Sequence, residues 1–358
     1  MAHDGVERWI RPEIRALSAY HVPDARGFIK LDAMENPYPW PPELVEQWLA
    51  ALRSLSLNRY PDPSCRSLKA RLRAAMGVPE GMDLLLGNGS DELIQMILMA
   101  VAGPGRSIVA PEPAFAMYRI IATLTGLDYV GVPLDGEFDI DLPAMEAALR
   151  AHTPAVVFLA YPNNPTGNQF SSERIERLIE SAPGLVVLDE AYAAFARDSF
   201  MDALSSYDNL LVLRTVSKMG LAGLRLGLLA GPACWLEELD KVRLPYNINV
   251  LTQASAEFAL MHREVLDAQT RQIREDRAGL LAALRRLPGV QPFPSDANFI
   301  LFRVSEGRGE AVFQGLKARG VLIKNLSAMG GPLADCLRVT VGTPEENRAF
   351  LEALGETL

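Results

Sequence analysis

From residue 83 to 230, short and almost continuously apolar runs alternate with stretches of helical periodicity, and this alternation limits the fold more than any other feature of the chain. The runs fall at 83–86, 107–110, 129–132, 155–161, 185–188 and 210–214, with one more at 224–230. Several are bounded by Gly or Pro, and helical patterns such as 92–101 and 172–181 separate them. A strand apolar on both sides must be covered on both faces, and strands joined through helices pair in parallel. The pattern predicts an α/β fold with a mostly parallel central sheet flanked by helices. After about residue 250 the texture changes. A long charged stretch at 252–287 forms helix, followed by a strand at 297–304, a helix at 309–319, strands at 321–324 and 336–341, and a terminal helix from Pro344. These fewer strands read as antiparallel, giving a smaller α+β domain. The proline-rich run 35–42 lacks backbone donors and reads as an extended arm. The expected division is an arm over 1–40, a large α/β domain over 41–250 and a small α+β domain over 251–358, which suits a chain of 358 residues.

Charge and cysteine usage exclude several functions. A net charge of −9 and a pI near 5.2 argue against nucleic acid or an anionic membrane as the main partner. Cys65, Cys234 and Cys336 are far apart and form no CxxC pair, so neither a metal site nor a disulfide framework is expected. The first residues carry scattered charges and no apolar core of a signal peptide, and no apolar stretch reaches transmembrane length. A cytoplasmic protein is expected.

In open α/β sheets ligands bind beyond the carboxyl ends of the strands, so the residues after each run carry the chemistry. After 83–86 comes Gly87-Asn88-Gly89-Ser90-Asp91-Glu92, a glycine-rich turn entering a helix with Ser90 or Asp91 as its N-cap. Such a turn cradles phosphate, although glycine-rich turns of this kind are common. After 155–161 comes Asn163-Asn164-Pro165-Thr166-Gly167, which is also what a plain tight turn looks like. After 185–188 comes Asp189, a costly acid at a buried strand tip unless a cation meets it, or else a helix N-cap. After 210–214 comes Thr215-Val216-Ser217-Lys218, with Arg225 seven residues on. Most lysines are solvated surface charges. Lys218 stands among small and apolar residues, and a desolvated amine is a usable nucleophile. A lysine for an imine, an acid for a ring nitrogen, an anion site and donors to a phenolate oxygen are what pyridoxal phosphate requires.

The string Asn164-Pro165-Thr166-Gly167, the pair Asp189 and Tyr192, and Ser217-Lys218 followed by Arg225 resemble the fold-type I aminotransferases. Residues 31–37 (LDAMENP), 60–62 (YPD), 87–92 (GNGSDE), 214–224 (RTVSKMGLAGL) and 337–343 (LRVTVGT) resemble the histidinol-phosphate aminotransferases. The likeness runs from about residue 20 to the C-terminus.

The resemblance implies a role for each matching residue. Lys218 would hold pyridoxal 5′-phosphate as a Schiff base and move the substrate proton. Asp189 would pair with the ring nitrogen, Asn164 and Tyr192 would bond the phenolate oxygen, and Phe115 would stack on the ring. Gly89, Ser90, Asp91, Thr215, Ser217 and Arg225 would bind the cofactor phosphate, with Tyr60 reaching it from the neighbouring subunit of a homodimer. Arg338 would receive the anionic group of the amino donor, and Lys324 stands where some members place a second arginine. Tyr20 and Asn36 would line the substrate mouth, or else serve only to pack the arm. The implied reaction is transfer of the amino group of L-histidinol phosphate to 2-oxoglutarate, a step of histidine biosynthesis, by a ping-pong route. Three other readings stand beside it. Two are transamination of aromatic or other amino acids and a threonine-phosphate decarboxylase-like lyase. The third is a cofactor-binding regulator, for which the segment ahead of the aminotransferase-like part is too short to hold a DNA-binding domain.

Overall fold

The structure, a computed structural model, describes residues 2–19 and 22–358. Thirteen strands occur among them, numbered in chain order. They are β1 Ile29–Lys30, β2 Met82–Gly87, β3 Ser107–Glu112, β4 Asp128–Pro133, β5 Val156–Ala160, β6 Leu185–Asp189, β7 Leu210–Thr215, β8 Gly227–Pro232, β9 Val290–Pro292, β10 Phe299–Val304, β11 Val321–Leu322, β12 Lys324–Asn325 and β13 Cys336–Thr340. Seven form the central sheet in the order β2-β8-β7-β6-β5-β3-β4, with β8 alone running against the rest. All seven predicted runs appear as strands of this mostly parallel sheet.

Strand periodicity assigns each residue to a face. On one face Val186, Leu188, Leu210 and Val212 pack against Leu72, Met145 and Ile175 from helices Arg66–Met76, Leu142–His152 and Ser172–Ser181. On the other face Leu185, Val187, Leu211 and Leu213 meet Ile94 and Tyr118 from helices Ser90–Val101 and Met117–Thr125. Side chains buried this completely stabilise the fold by about 1.5–3 kcal/mol each. Both-face burial is why these runs lack polar alternation.

A second sheet, β12-β13-β10-β9, is antiparallel throughout. Its core joins Phe299, Phe302 and Leu337 to Phe350 of helix Pro344–Gly355 and to Leu31 of the N-terminal segment. The segment also adds β1, which pairs in parallel with β11.

Three elements differ from expectation. The strand placed at 224–230 begins at Gly227, because a 3₁₀ turn occupies Ala222–Leu224 and Arg225 takes a left-handed φ of 48°. The stretch 252–287 is two helices, Val250–Met261 and Arg263–Leu284, broken where His262 leaves helical geometry at φ −114°, ψ 35°. The run 321–324 is two short strands, β11 facing the N-terminal segment and β12 facing β13. Among the described residues no helix is long and apolar enough to cross a membrane.

One ion pair ties the ends of β6 and β7. Glu190 follows β6 with the parity of Val186 and Leu188, and Arg214 lies on the same face of β7. The Glu190 carboxylate, with none of its side chain exposed, accepts from Arg214 Nε at 2.9 Å, Phe200 N at 2.6 Å and Ser199 Oγ at 2.9 Å. Removing one partner of a buried pair costs about 3–5 kcal/mol. Glu190→Ala should therefore lower the urea unfolding midpoint substantially, and Glu190→Gln, which keeps an acceptor for Phe200, should lower it less. An unchanged midpoint in Glu190→Ala would show that the pair stabilises nothing.

Candidate active site

The carboxyl ends of β2, β5, β6 and β7 open on one cavity of about 570 Å³, a size suited to a small molecule. Ala160, Asp189 and Thr215, the last residues of three adjacent strands, share one sheet face and line it together. At one end lies the turn after β2. Its helix starts at Ser90, and the N-cap is Gly89 at φ 93°, without a side-chain cap. Ser90 and Asp91 are thus the first helical residues, not the cap, because the backbone turns through a conformation that L side chains rarely adopt. A Cβ on Gly89 would stand 2.6 Å from Arg225 Nη2, and one on Gly227 would stand 2.7 Å from Ser90 N. Only glycines allow Arg225, β8 and the helix N-terminus to converge there. Thr215 Oγ1 lies 2.8 Å from Ser217 Oγ and accepts from Ser217 N at 3.1 Å. Ser90, Thr215, Ser217 and Arg225 all line this end, and Arg225 Nη2 is 3.7 Å from the Asp91 carboxylate. Burial holds the Asp91 carboxyl above its usual range, opposed by Arg225 and then Lys218.

The floor is Asp189. Its carboxylate accepts from Tyr118 Oη at 2.7 Å and from Ala191 N at 3.1 Å. No helix follows β6, only turns to residue 195, so Asp189 does not cap a helix. Burial pushes its pKa up to about 6, against the Tyr118 and Ala191 hydrogen bonds that lower it. Tyr118 is itself fully buried, stacked on Phe158 at 4.7 Å and edge-on to Phe115 at 5.7 Å. Sequence reading missed it; a tyrosine on an otherwise apolar helix face, needing a partner for its hydroxyl, was the available signal.

Lys218 lines the same cavity as Asp189. Its Nζ lies 5.7 Å from the Tyr192 ring and donates to the Ala33 carbonyl at 3.4 Å. Burial first, and then Arg338, lower its pKa to about 8, with Glu35 and Asp91 opposing. Tyr192 Oη accepts from Asn164 Nδ2 at 3.1 Å, and burial holds the phenol well above its usual range. Arg338 donates through Nη1 to Asn164 Oδ1 and through Nη2 to the Asp32 carbonyl at 3.2 Å.

Lys324 sits directly opposite Arg338 in the β12–β13 pair, so both side chains leave the same face. Asn36 is engaged in arm packing: its Nδ2 donates to Gln269 Oε1 at 3.0 Å and its Oδ1 accepts from Tyr38 N at 2.9 Å. Tyr60 is 80% exposed and stacks on Tyr246 at 4.3 Å, apart from the cavity of its own chain. Tyr20 lies outside the described residues. Met34, not anticipated, lines the cavity from the N-terminal segment.

Residues 26–354 match the family described as aminotransferase class I and II. The chain is 64% identical over 354 residues to "Histidinol-phosphate aminotransferase 2" of Nitrosococcus oceani, covering 99% of this chain and 98% of that one. The crystal structure of histidinol-phosphate aminotransferase from Sinorhizobium meliloti in complex with pyridoxal-5′-phosphate superposes with a TM-score of 0.86 at 25% identity, covering 98% and 97% of the two chains. L-threonine-O-3-phosphate decarboxylase from Porphyromonas gingivalis shares the fold, with a TM-score of 0.77 at 22% identity over 91% of this chain and 98% of that one.

The raised Asp189 pKa has a consequence for stability. In the unfolded chain the carboxyl titrates near 3.8 and in the folded one near 6, so the folded state binds more protons between those values. Its contribution is complete below pH 3.8 and lost as pH rises through about 6, a change of about 3 kcal/mol. Protein freed of bound small molecules should therefore lose stability to urea between pH 4 and 6.5 through this group. Asp189→Asn should remove that loss and be the more stable protein at pH 7. Parallel pH profiles for the two proteins would refute the assignment.

Proposed function

The chain belongs to the class I and II aminotransferases, and from that premise we propose that Lys218, Asp189, Asn164 and Tyr192 form the catalytic centre of a histidinol-phosphate aminotransferase. The enzyme interconverts L-histidinol phosphate and 2-oxoglutarate with imidazole-acetol phosphate and L-glutamate, in histidine biosynthesis, and its cofactor is pyridoxal 5′-phosphate. The observation that carries the site assignment is that a buried amine with a pKa near 8 and a buried carboxylate line one cavity that also holds an anion cradle.

The cavity fits the cofactor. Asp189, ionised at neutral pH and bonded among the described residues by a phenol and an amide N–H alone, is suited to a ring N–H⁺. The glycine-tight corner of Gly89 and Arg225, with Asp91, Ser90, Thr215 and Ser217, is suited to its phosphate. Phe115 lines the same cavity and would cover the ring. When bound, pyridoxal phosphate supplies an electron sink for the charge left at Cα of the amino donor.

The chain's own groups do the rest. Asp189 would keep the proton on the ring nitrogen, and Asn164 and Tyr192 would hold the phenolate oxygen. Lys218 Nζ, with its pKa lowered to about 8 and so about half neutral at that pH, would attach the cofactor and then accept the Cα proton of the donor. Arg338 holds the donor's anionic group. Lys324 beside it adds a second positive charge on the same face, a repulsive arrangement that a phosphate dianion relieves. Tyr20 and Asn36 are assigned to the substrate mouth, Asn36 through its grip on Met219 next to Lys218. The segments 1–40, 41–250 and 251–358 are the units we assign, and the cytoplasm the compartment.

Charge-assisted hydrogen bonds to a phosphate contribute about 1.5–3 kcal/mol each. Lys324→Ala should cost about one to two decades in specificity for histidinol phosphate and much less for glutamate, while Arg338→Ala should impair both half-reactions. Single-turnover absorbance changes of the bound cofactor with each donor measure this. Equal effects of Lys324→Ala on both donors would remove Lys324 from the substrate phosphate site. Failure of histidinol phosphate to convert the wild-type cofactor, where an aromatic amino acid succeeds, would overturn the substrate.

We also propose that Tyr60, exposed on its own chain, completes the cofactor phosphate site of a partner in a homodimer. Mixing Lys218→Ala and Tyr60→Ala subunits should regenerate one intact site per heterodimer. Heterodimers that form without recovering activity would place Tyr60 outside the partner's site.

A further inference from the structure

A second cavity, about 890 Å³ and open to solvent, lies back to back with the first, and Ala191 and Thr215 belong to the walls of both. One side is the Glu190–Arg214 pair with the turn that carries Ala193 and Ala194. The other is a single face of helix Arg263–Leu284, presenting Arg263, Asp267, Thr270, Arg271 and Arg274 at helical spacing.

The charges lining this cavity do not balance. Glu190 is taken by Arg214 at 2.8 Å and Asp267 by Arg263 at 3.2 Å, and among the described residues no other carboxylate lines it. Arg271 and Arg274 are left without a counter-ion among the described residues. They stand three positions apart on the helix, close enough to repel. Arg274 gives an N–H to the Ala194 carbonyl, and Arg271 makes no hydrogen bond or ion pair among the described residues. None of these arginines has been given a part in the chemistry of the first cavity.

We propose that this cavity binds a small oxyanion carrying two negative charges, a phosphate monoester or a dicarboxylate, and that its occupancy lowers turnover at the first site. Two guanidinium forks on one helix face match paired oxygens, which a single lysine ammonium would not. The coupling runs through Ala194. That carbonyl belongs to the turn holding Asp189, Ala191 and Tyr192 in place, and an anion that engages Arg274 competes for the N–H that Ala194 now accepts. Loosening the turn shifts Tyr192 and Asp189, so anion binding and catalytic order oppose each other, reciprocally. The effect on turnover rests on the aminotransferase reading; the binding itself does not.

The test uses holoenzyme titrated with malonate and, separately, with inorganic phosphate at constant ionic strength. The readouts are the melting temperature and kcat at saturating amino donor. Both anions can also bind at Arg338, the residue proposed for the donor's anionic group, so the deciding comparison is Arg271→Ala, which alters nothing there. Wild type should gain stability saturably and lose several-fold in kcat, beyond rescue by more donor. Arg271→Ala should keep the wild-type kcat without anion and need about tenfold more anion for either effect. Arg274→Ala should show a lowered kcat without any anion, since Ala194 loses its partner. A response to phosphate alone identifies a phosphate monoester, and a response to malonate as well identifies the broader class. Identical anion responses in wild type and Arg271→Ala would overturn the site. Stabilisation lost in Arg271→Ala with kcat unmoved by anion in wild type would overturn the coupling.

Discussion

The arrangement depends on a carboxylate kept out of water at the end of a central strand. Asp189 is 4% exposed and its pKa stands near 6, so at neutral pH it is a charge held at a cost. The surroundings are organised to hold it without neutralising it. Tyr118 gives one hydrogen bond from a helix on the same sheet face, and Ala191 gives another from the turn. Neither carries a full charge. A group so placed retains its attraction for a cation across a short low-dielectric path, where that attraction is stronger than in water. Lys218 in the same cavity is the mirror case, an amine held toward neutrality by burial.

The next residue in the chain shows the alternative solution. Asp189 and Glu190 are both buried acids, yet strand parity sends them to opposite faces of the sheet. Glu190 meets Arg214, Ser199 and the Phe200 amide and is fully satisfied. It belongs to the structure of the turn. Asp189 is left with two neutral donors and belongs to the cavity. Two adjacent acids thus divide the work: the satisfied one fixes the geometry in which the unsatisfied one is held.

Much of this was legible in the chain, and the reason differs from element to element. Strands β3, β5, β6 and β7 were visible because burial on both faces leaves a run with no polar interruption. The cavity followed from them, since Asn164, Asp189, Thr215 and Lys218 come just at or after strand ends. Tyr118 was not legible as the partner of Asp189, because 71 residues and a change of layer separate the two. The cap at Gly89 was missed because side-chain preference favours Ser or Asp, while the close approach of Arg225 demands glycine. The break at His262 carries no Gly or Pro to announce it. The register that sets Lys324 against Arg338 is a property of the paired sheet, and neither sequence segment contains it alone.

The N-terminal segment joins the two sheets at the point where the site is built. Leu31 is buried in the core of the antiparallel sheet, and its carbonyl accepts from Thr340 N at 2.9 Å. The next two residues then touch Arg338 and Lys218: the Asp32 carbonyl accepts from Arg338 and the Ala33 carbonyl from Lys218. Met34 follows with a φ of 53°, a conformation costing an unbranched side chain about 1–2 kcal/mol. It persists because its N–H is taken by Thr340 Oγ1 at 3.0 Å and its carbonyl by Asn298 Nδ2 at 2.9 Å. Those two bonds offset the strain and turn the Met34 side chain into the cavity. The positions of Arg338 and Lys218 relative to each other are therefore set through a short piece of backbone that neither the parallel sheet nor the antiparallel sheet supplies, and each sheet holds that piece from its own side.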